Sequence, residues 1–220
     1  MKVIAVIPAY NEAKTIADVL RRTRVFVQEM VVVDDGSSDG TAEVARGEGA
    51  RVIHHKINRG LGAALATGFE TARRLGGDII VTLDADGQHD PQEIPKFVEA
   101  IQGGAQMVIG SRMLLGQMPW YRRVANTLGN IATVILFGAW VSDTQSGFRA
   151  FSSEALARLD LRTNHMEISS ELVGEARRNR LRITEIPIQA IYTDYSLSKG
   201  QNFFVGIKTF VKLLLRRLTH

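Results

Sequence analysis

Five short runs rich in valine and isoleucine, each followed by a stretch with helical spacing, restrict the fold of this chain more than any other feature. The runs are Val3 to Ile7, Met30 to Val33, Arg51 to His54, Ile79 to Leu83 and Met107 to Ile109. Between them apolar residues recur at helical intervals over roughly Glu12 to Phe26, Gly40 to Arg46, Leu61 to Leu75 and Pro91 to Ile101. Strands that are apolar on both faces need helices on both sides of a sheet, and strand–helix alternation makes neighbouring strands parallel. The expected class is therefore α/β, a mostly parallel, doubly wound sheet. After Arg112 the alternation fails. Pro119 to Val141 reads as one long apolar helix or two, Phe148 to Phe151 as a short strand, Met166 to Arg180 as a helix and Ile183 to Ile188 as a strand. This second part is expected to cap the carboxyl edge of the sheet and form the other side of a cleft.

With 220 residues and 45% hydrophobic content the chain suits one globular domain, although two small ones are possible. The formal charge of +4 suits polyanionic partners such as phosphates, anionic lipid or nucleic acid without choosing among them, and no nucleic-acid motif supports the last. The absence of cysteine excludes disulfides, thiolate metal sites and a cysteine nucleophile, and allows a reducing cytoplasm. The longest apolar stretch, Ile131 to Val141, falls short of the ~20 residues that a membrane span needs. The chain thus reads as soluble or peripheral. Within 202–218, Lys208, Lys212 and Arg216 recur every four residues beside a broad apolar face. That pattern fits an interfacial helix and equally a helix docked on its own domain or on a second subunit.

In an open α/β sheet, ligands gather at the carboxyl ends of the strands. The fourth run delivers Asp84-Ala85-Asp86-Gly87-Gln88 to that edge. Two carboxylates on a tight turn suit Mg²⁺ or Mn²⁺ carrying a diphosphate, although a polar turn before a helix capped by Asp90 would use the same residue types. The first run ends in Pro8-Ala9-Tyr10-Asn11-Glu12 and the second in Asp34-Asp35-Gly36-Ser37-Ser38-Asp39-Gly40-Thr41, so both loops are expected to converge on the same crevice. Adjacent carboxylates at Asp34 and Asp35 repel unless donors face them, such as a base, a ribose or a metal. Asn58-Arg59-Gly60-Leu61-Gly62 opens a helix with glycines that would admit a ligand close to backbone N–H groups. The first turn lacks the GxGxxG of a dinucleotide site.

Taken in order, PAYNE, VVDDGSSDGT, NRG, LDADGQHDP, GSR and DTQSGFRAF resemble the family 2 glycosyltransferases of GT-A fold, in particular the branch of polyprenyl- and dolichyl-phosphate mannose (or glucose) synthases. The similarity spans residues 3 to about 200. It implies a single GT-A domain with a Rossmann-like, mostly parallel sheet flanked by helices: a nucleotide-sugar half to about residue 112, an acceptor-side extension over about 113–201, and an amphipathic helix over 202–218. The implied reaction is inverting, metal-dependent transfer of a hexose from a GDP-mannose or UDP-glucose type donor to a polyprenyl phosphate. The alternative is a soluble transferase acting on a glycan, protein or small-molecule hydroxyl. By the resemblance, Pro8, Tyr10, Glu12 and Asp34, with Asp35 nearby, contact the nucleoside. Asp84 holds ribose, diphosphate or metal, Asp86 is the principal metal ligand, and Gln88 is a further ligand or sugar contact. Arg112, Arg123 and Arg149 match positions that receive a phosphate, and Lys199 lies in a loop that closes on the donor. Members with long C-terminal hydrophobic spans anchor in the membrane, whereas here 202–218 offers peripheral contact at its cytoplasmic face.

Overall fold

The computed structural model describes residues 1–115 and 120–191. A seven-stranded sheet organises them. Its strands are β1 (Val3–Ala9), β2 (Glu29–Asp34), β3 (Arg51–His54), β4 (Ile79–Thr82), β5 (Met107–Ser111), β6 (Arg149–Ser152) and β7 (Ile183–Pro187), in the order β3-β2-β1-β4-β6-β5-β7. All neighbours are parallel except β6, which runs antiparallel to both β4 and β5. The helices are α1 (Ile16–Thr23), α2 (Thr41–Gly47), α3 (Leu61–Arg74), α4 (Ile94–Gln102), α5 (Trp120–Phe137), α6 (Ser153–Leu156) and α7 (Ile168–Arg178).

The run-on apolar character of the strands has the expected cause, since each face of the sheet is covered. Val3, Ala5, Ile7 and Ala9 of β1 point to one side, where Ile16, Val19 and Leu20 of α1 and Ile94, Phe97 and Ile101 of α4 pack. Ile4 and Val6 point to the other, against Ala64, Leu65, Phe69 and Ala72 of α3 and, further along, Leu172, Val173 and Ala176 of α7. Where α3 crosses β1, a Cβ on Gly68 would lie 2.3 Å from Val6 Cγ1, so only glycine permits this approach.

Three features differ from the sequence reading. The region after Arg112 does not merely cap the sheet: β6 lies between β4 and β5, and β7 extends the edge beyond β5. The first helix is shorter than expected, because Thr15 and Ile16 N–H close a turn onto the Glu12 carbonyl before α1 begins. The helix expected from Pro91 opens as a 3₁₀ turn over Pro91–Glu93, with Asp90 accepting from Gln92 N–H as its cap. Among the described residues no helix is long and apolar enough to cross a membrane. Lys199 and the segment 202–218 lie outside the described residues.

Candidate active site

The carboxyl ends of β1, β2 and β4 meet, as parallel order requires. The loop after β1 is stitched to the loop after β2. Asn11 N–H donates to Ser37 Oγ, Ser38 N–H to Asn11 Oδ1, Glu12 N–H to Thr41 Oγ1, and Ala13 N–H to Asp39. Asn11 takes φ 54°, a left-handed conformation that asparagine tolerates and that turns the chain at this lip. A cavity of about 210 Å³ opens beside it, lined by Pro8, Ala9, Tyr10, Asp35, Asn58, Gly60, Leu61 and Ala64. Tyr10 stands half-exposed at the rim.

The adjacent carboxylates of β2 are answered by an adjacent pair of histidines at the end of β3. Asp34 pairs with His54 Nδ1 at 2.7 Å and accepts from Ser37 N–H. Asp35 pairs with His55 Nδ1 at 2.7 Å and accepts from Arg59 and Gly60 N–H at 2.9 and 2.7 Å, and Thr67 Oγ1 bonds the other nitrogen of His55. Strand alternation separates the two aspartates, so Asp35 rather than Asp34 lines the cavity. The glycines at the start of α3 admit protein, not an open ligand site. Cβ atoms at Gly60 and Gly62 would lie 2.4 Å from Asn164 O and 2.0 Å from Thr163 O, and Ala63 N–H donates to Asn164 O.

A second, smaller cavity of about 60 Å³ shares Pro8 and Leu61 with the first and leads to Asp84, Gln145, Gly147, Arg149, Met166 and Ser169. Together they form a trench from Asp35 to the Asp84 turn. A wider hollow of about 520 Å³ lies by Arg24, Gln28, Met30 and Arg51, at the opposite, amino end of the strands. It is larger but remote from every convergent carboxylate, and its Arg24 and Arg51 are paired with Glu48 and Glu29.

Asp84 is the most supported group in the trench. Its Oδ2 pairs with His89 Nε2 at 3.0 Å, and His89 is itself buried against the Phe148 ring. Gly147 backs it so closely that a Cβ there would meet Asp84 Oδ1 at 2.2 Å. Enclosure by protein would raise the Asp84 carboxyl, but the His89 hydrogen bond and the charges of His89, Arg112 and Arg149 outweigh it, and its pKa is lowered. The side chain still keeps 39% of its area open to the cleft. Asp86 behaves oppositely: burial first, then the negative charge of Asp84, raise its pKa, against hydrogen bonds from Gln88. Two carboxylates that repel each other in this way fit a divalent cation. Among the described residues no cluster of three or more His, Cys, Asp or Glu side chains is placed to hold an ion, and the pair of carboxylates is a donor set suited to an ion completed by diphosphate and water.

The three arginines expected to receive a phosphate differ sharply. Arg123 is exposed on the first turns of α5. Arg112 gives Nε and Nη2 to the fully buried Asp143 at 2.8 and 2.9 Å. Arg149 is 2% exposed because β6 is a central strand, and its Nη2 donates to Thr144 O while its Nε has no hydrogen-bond partner. Burial, partly offset by Asp84 and Asp143, pushes the Arg149 guanidinium down to about 10. Although almost wholly enclosed, Arg149 lines the smaller cavity beside Asp84. Pro8, Tyr10 and Asp35 line the first cavity and Pro8 and Asp84 the second, with Asp86 and Gln88 on the same turn as Asp84, whereas Asp34 faces Ser37 and His54, and Glu12 accepts from Thr15 Oγ1. His54, His55 and His89 were not singled out from the sequence.

Comparison with known proteins agrees with this geometry. Residues 4–160 match the model of "Glycosyl transferase family 2". The UDP-N-acetylglucosamine–dolichyl-phosphate N-acetylglucosaminyltransferase of Methanococcus voltae is 37% identical over 97% of this chain and 95% of its own length. The polyprenol monophosphomannose synthase of Mycolicibacterium smegmatis is 32% identical over 90% of this chain and 80% of its own. The fold is shared with glucosyl-3-phosphoglycerate synthase of Mycobacterium tuberculosis, solved with Mn²⁺ and UDP-glucose: TM-score 0.73 and 24% identity, covering 98% of this chain and 78% of that one. This chain belongs to glycosyl transferase family 2 and is a glycosyltransferase of α/β, GT-A fold.

Proposed function

We propose that the protein transfers a hexose, with inversion, from a nucleotide-diphosphate sugar of the GDP-mannose or UDP-glucose type to a polyprenyl phosphate. The observation that carries this reading is the trench that begins at Asp35 and ends at Asp84, with a second carboxylate, Asp86, on the same turn. Pro8, Tyr10 and Asp35 hold the nucleoside, with Asp34 and Glu12 shaping the loops around it. Asp84 and Asp86, with Gln88 beside them, would hold Mg²⁺ or Mn²⁺, which neutralises charge on a departing diphosphate. His89 holds Asp84 by a hydrogen bond, and Arg149, which lines the smaller cavity, adds its charge beside Asp84 and toward the acceptor phosphate. Lys199 is assigned to closure over the donor. Arg123, at the amino end of a helix where anions are favoured, receives the acceptor phosphate with Arg112 behind it, and positioning in line lowers the barrier. Contact with the cytoplasmic face of a membrane through 202–218 belongs to the same proposal.

The names of the two similar enzymes support a prenyl-phosphate acceptor, and so does the state of the carboxylates. A hydroxyl acceptor needs a general base, whereas a phosphate monoester, with a second pKa of about 6, is already ionised. Of the carboxylates on the acceptor side, Asp143 is committed to Arg112, and Glu171 accepts from Arg162 N–H, Thr163 N–H and Thr163 Oγ1. Asp194 is outside the described residues, and Glu167 is buried. Glu167→Gln tests the choice. The proposal expects turnover within about tenfold of wild type, whereas loss of several orders of magnitude with substrate binding intact favours the hydroxyl reading.

A further inference from the structure

Helix α5 is built with its polarity reversed. Its buried side chains include Asn126, Asn130 and Thr133, whereas Val124, Ile131, Val134 and Ile135 are exposed. Val124, Ile131 and Ile135, seven and eleven residues apart, share one side of the helix, and the buried polar residues occupy the opposite side. The inward polar face is used. Asn130 donates to Ser142 O at 2.7 Å and accepts from Thr144 N–H and Oγ1, and Thr133 Oγ1 bonds Ser170 Oγ. A helix facing water shows the opposite pattern, with its apolar stripe turned to the core. Leu114 and Leu115, before the helix in the chain, and Trp140, after it and 65% exposed, are further exposed apolar side chains.

Charge selects the occupant. No acidic residue stands between Glu99 and Asp143, and the exposed Arg123 stands on the first turns of α5. A second copy of this face would bring like charges together. The segment 202–218 would too, because it contains Lys208, Lys212, Arg216 and Arg217 and no carboxylate. A surface that is apolar beneath and anionic above complements both features. We propose that the outward face of α5, with Leu114, Leu115 and Trp140, docks on an anionic lipid surface, independently of 202–218. The inference deepens the prenyl-phosphate reading and rests on it for its purpose, since the same helix carries Arg123, the residue assigned to the acceptor phosphate.

The test is co-sedimentation of the full chain with vesicles of phosphatidylcholine containing phosphatidylglycerol, compared with the variant Val124→Asp/Ile131→Asp. Both positions are exposed, so thermal unfolding and transfer to a water-soluble, short-chain prenyl phosphate should stay at wild-type level while vesicle partitioning falls at least about tenfold. The proposal is overturned if wild type does not sediment with anionic vesicles, if the variant sediments equally well, or if wild type is a dimer that the variant splits. If no prenyl phosphate is ever glycosylated yet vesicle binding depends on α5, the acceptor assignment fails and this surface stands.

Discussion

Gly147→Ala isolates the placement of Asp84. Gly147 lies in the loop before β6, and its carbonyl accepts from Thr82 Oγ1. The added methyl would stand 2.2 Å from Asp84 Oδ1, 2.4 Å from Oδ2 and 2.6 Å from Cγ. Rotating the carboxylate cannot relieve a contact with Cγ, so the whole side chain must retreat by about 1 Å to reach ordinary separation. A displacement of that size at a reacting centre costs roughly 100-fold in rate, equivalent to about 2.7 kcal/mol of barrier. Overpacking should also cost about 1–3 kcal/mol of stability. The assay is kcat/KM for donor consumption together with urea unfolding, on Gly147→Ala, Asp84→Ala and the double variant. The double variant should recover the stability lost in Gly147→Ala, because the clash partner is gone, but none of the activity. Wild-type kcat/KM in Gly147→Ala, or a double variant as unstable as Gly147→Ala, would refute the reasoning.

Asp86→Asn should nearly abolish turnover and leave the fold intact. With metal chelated, the Asp86 carboxyl is raised by burial and by Asp84, so its ionised form disfavours folding and stability declines as pH rises through the folded pKa. The chelated variant should therefore melt no lower than wild type at neutral pH, which calorimetry reads directly. Asp143→Asn removes the buried partner of Arg112 and should cost about 3–5 kcal/mol in urea unfolding, and an unchanged midpoint would mean that the pair carries no stability.

Strands β1, β2, β4 and β5 were legible because their apolar runs reflect burial on both faces, a local property of the sequence, whereas the edge strands β3 and β7 are only partly buried. The position of β6 was not legible. Phe148 to Phe151 reads as a strand, but nothing local says that it runs antiparallel between β4 and β5, because that pairing is decided across the sheet. Arg149 shows the consequence: its neighbours in a central strand bury it, and it meets the cleft where it lines the smaller cavity beside Asp84. The Asp34-Asp35 pair was recognised as needing donors, and they were present in the sequence as His54-His55. Parallel register between β2 and β3 brings Asp34 opposite His54, so strand-end pairing was a usable signal. Gly60 and Gly62 mark a close approach from sequence alone, but glycine does not distinguish a ligand from the 163–165 backbone. The reversed polarity of α5 needed the structure, since helical spacing shows two faces without showing which one is buried.

The most direct test of the central claim is the mass of the product formed from a panel of GDP- and UDP-sugars with a short-chain polyprenyl phosphate, in Mn²⁺ or Mg²⁺ and again with chelator. The account predicts one hexosyl unit added to the prenyl phosphate from a single preferred donor, and no product when the metal is chelated or Asp86 is Asn. Full activity under chelation would contradict the role given to Asp84 and Asp86. Transfer to a hydroxyl compound, with none to any prenyl phosphate, would contradict the proposed acceptor.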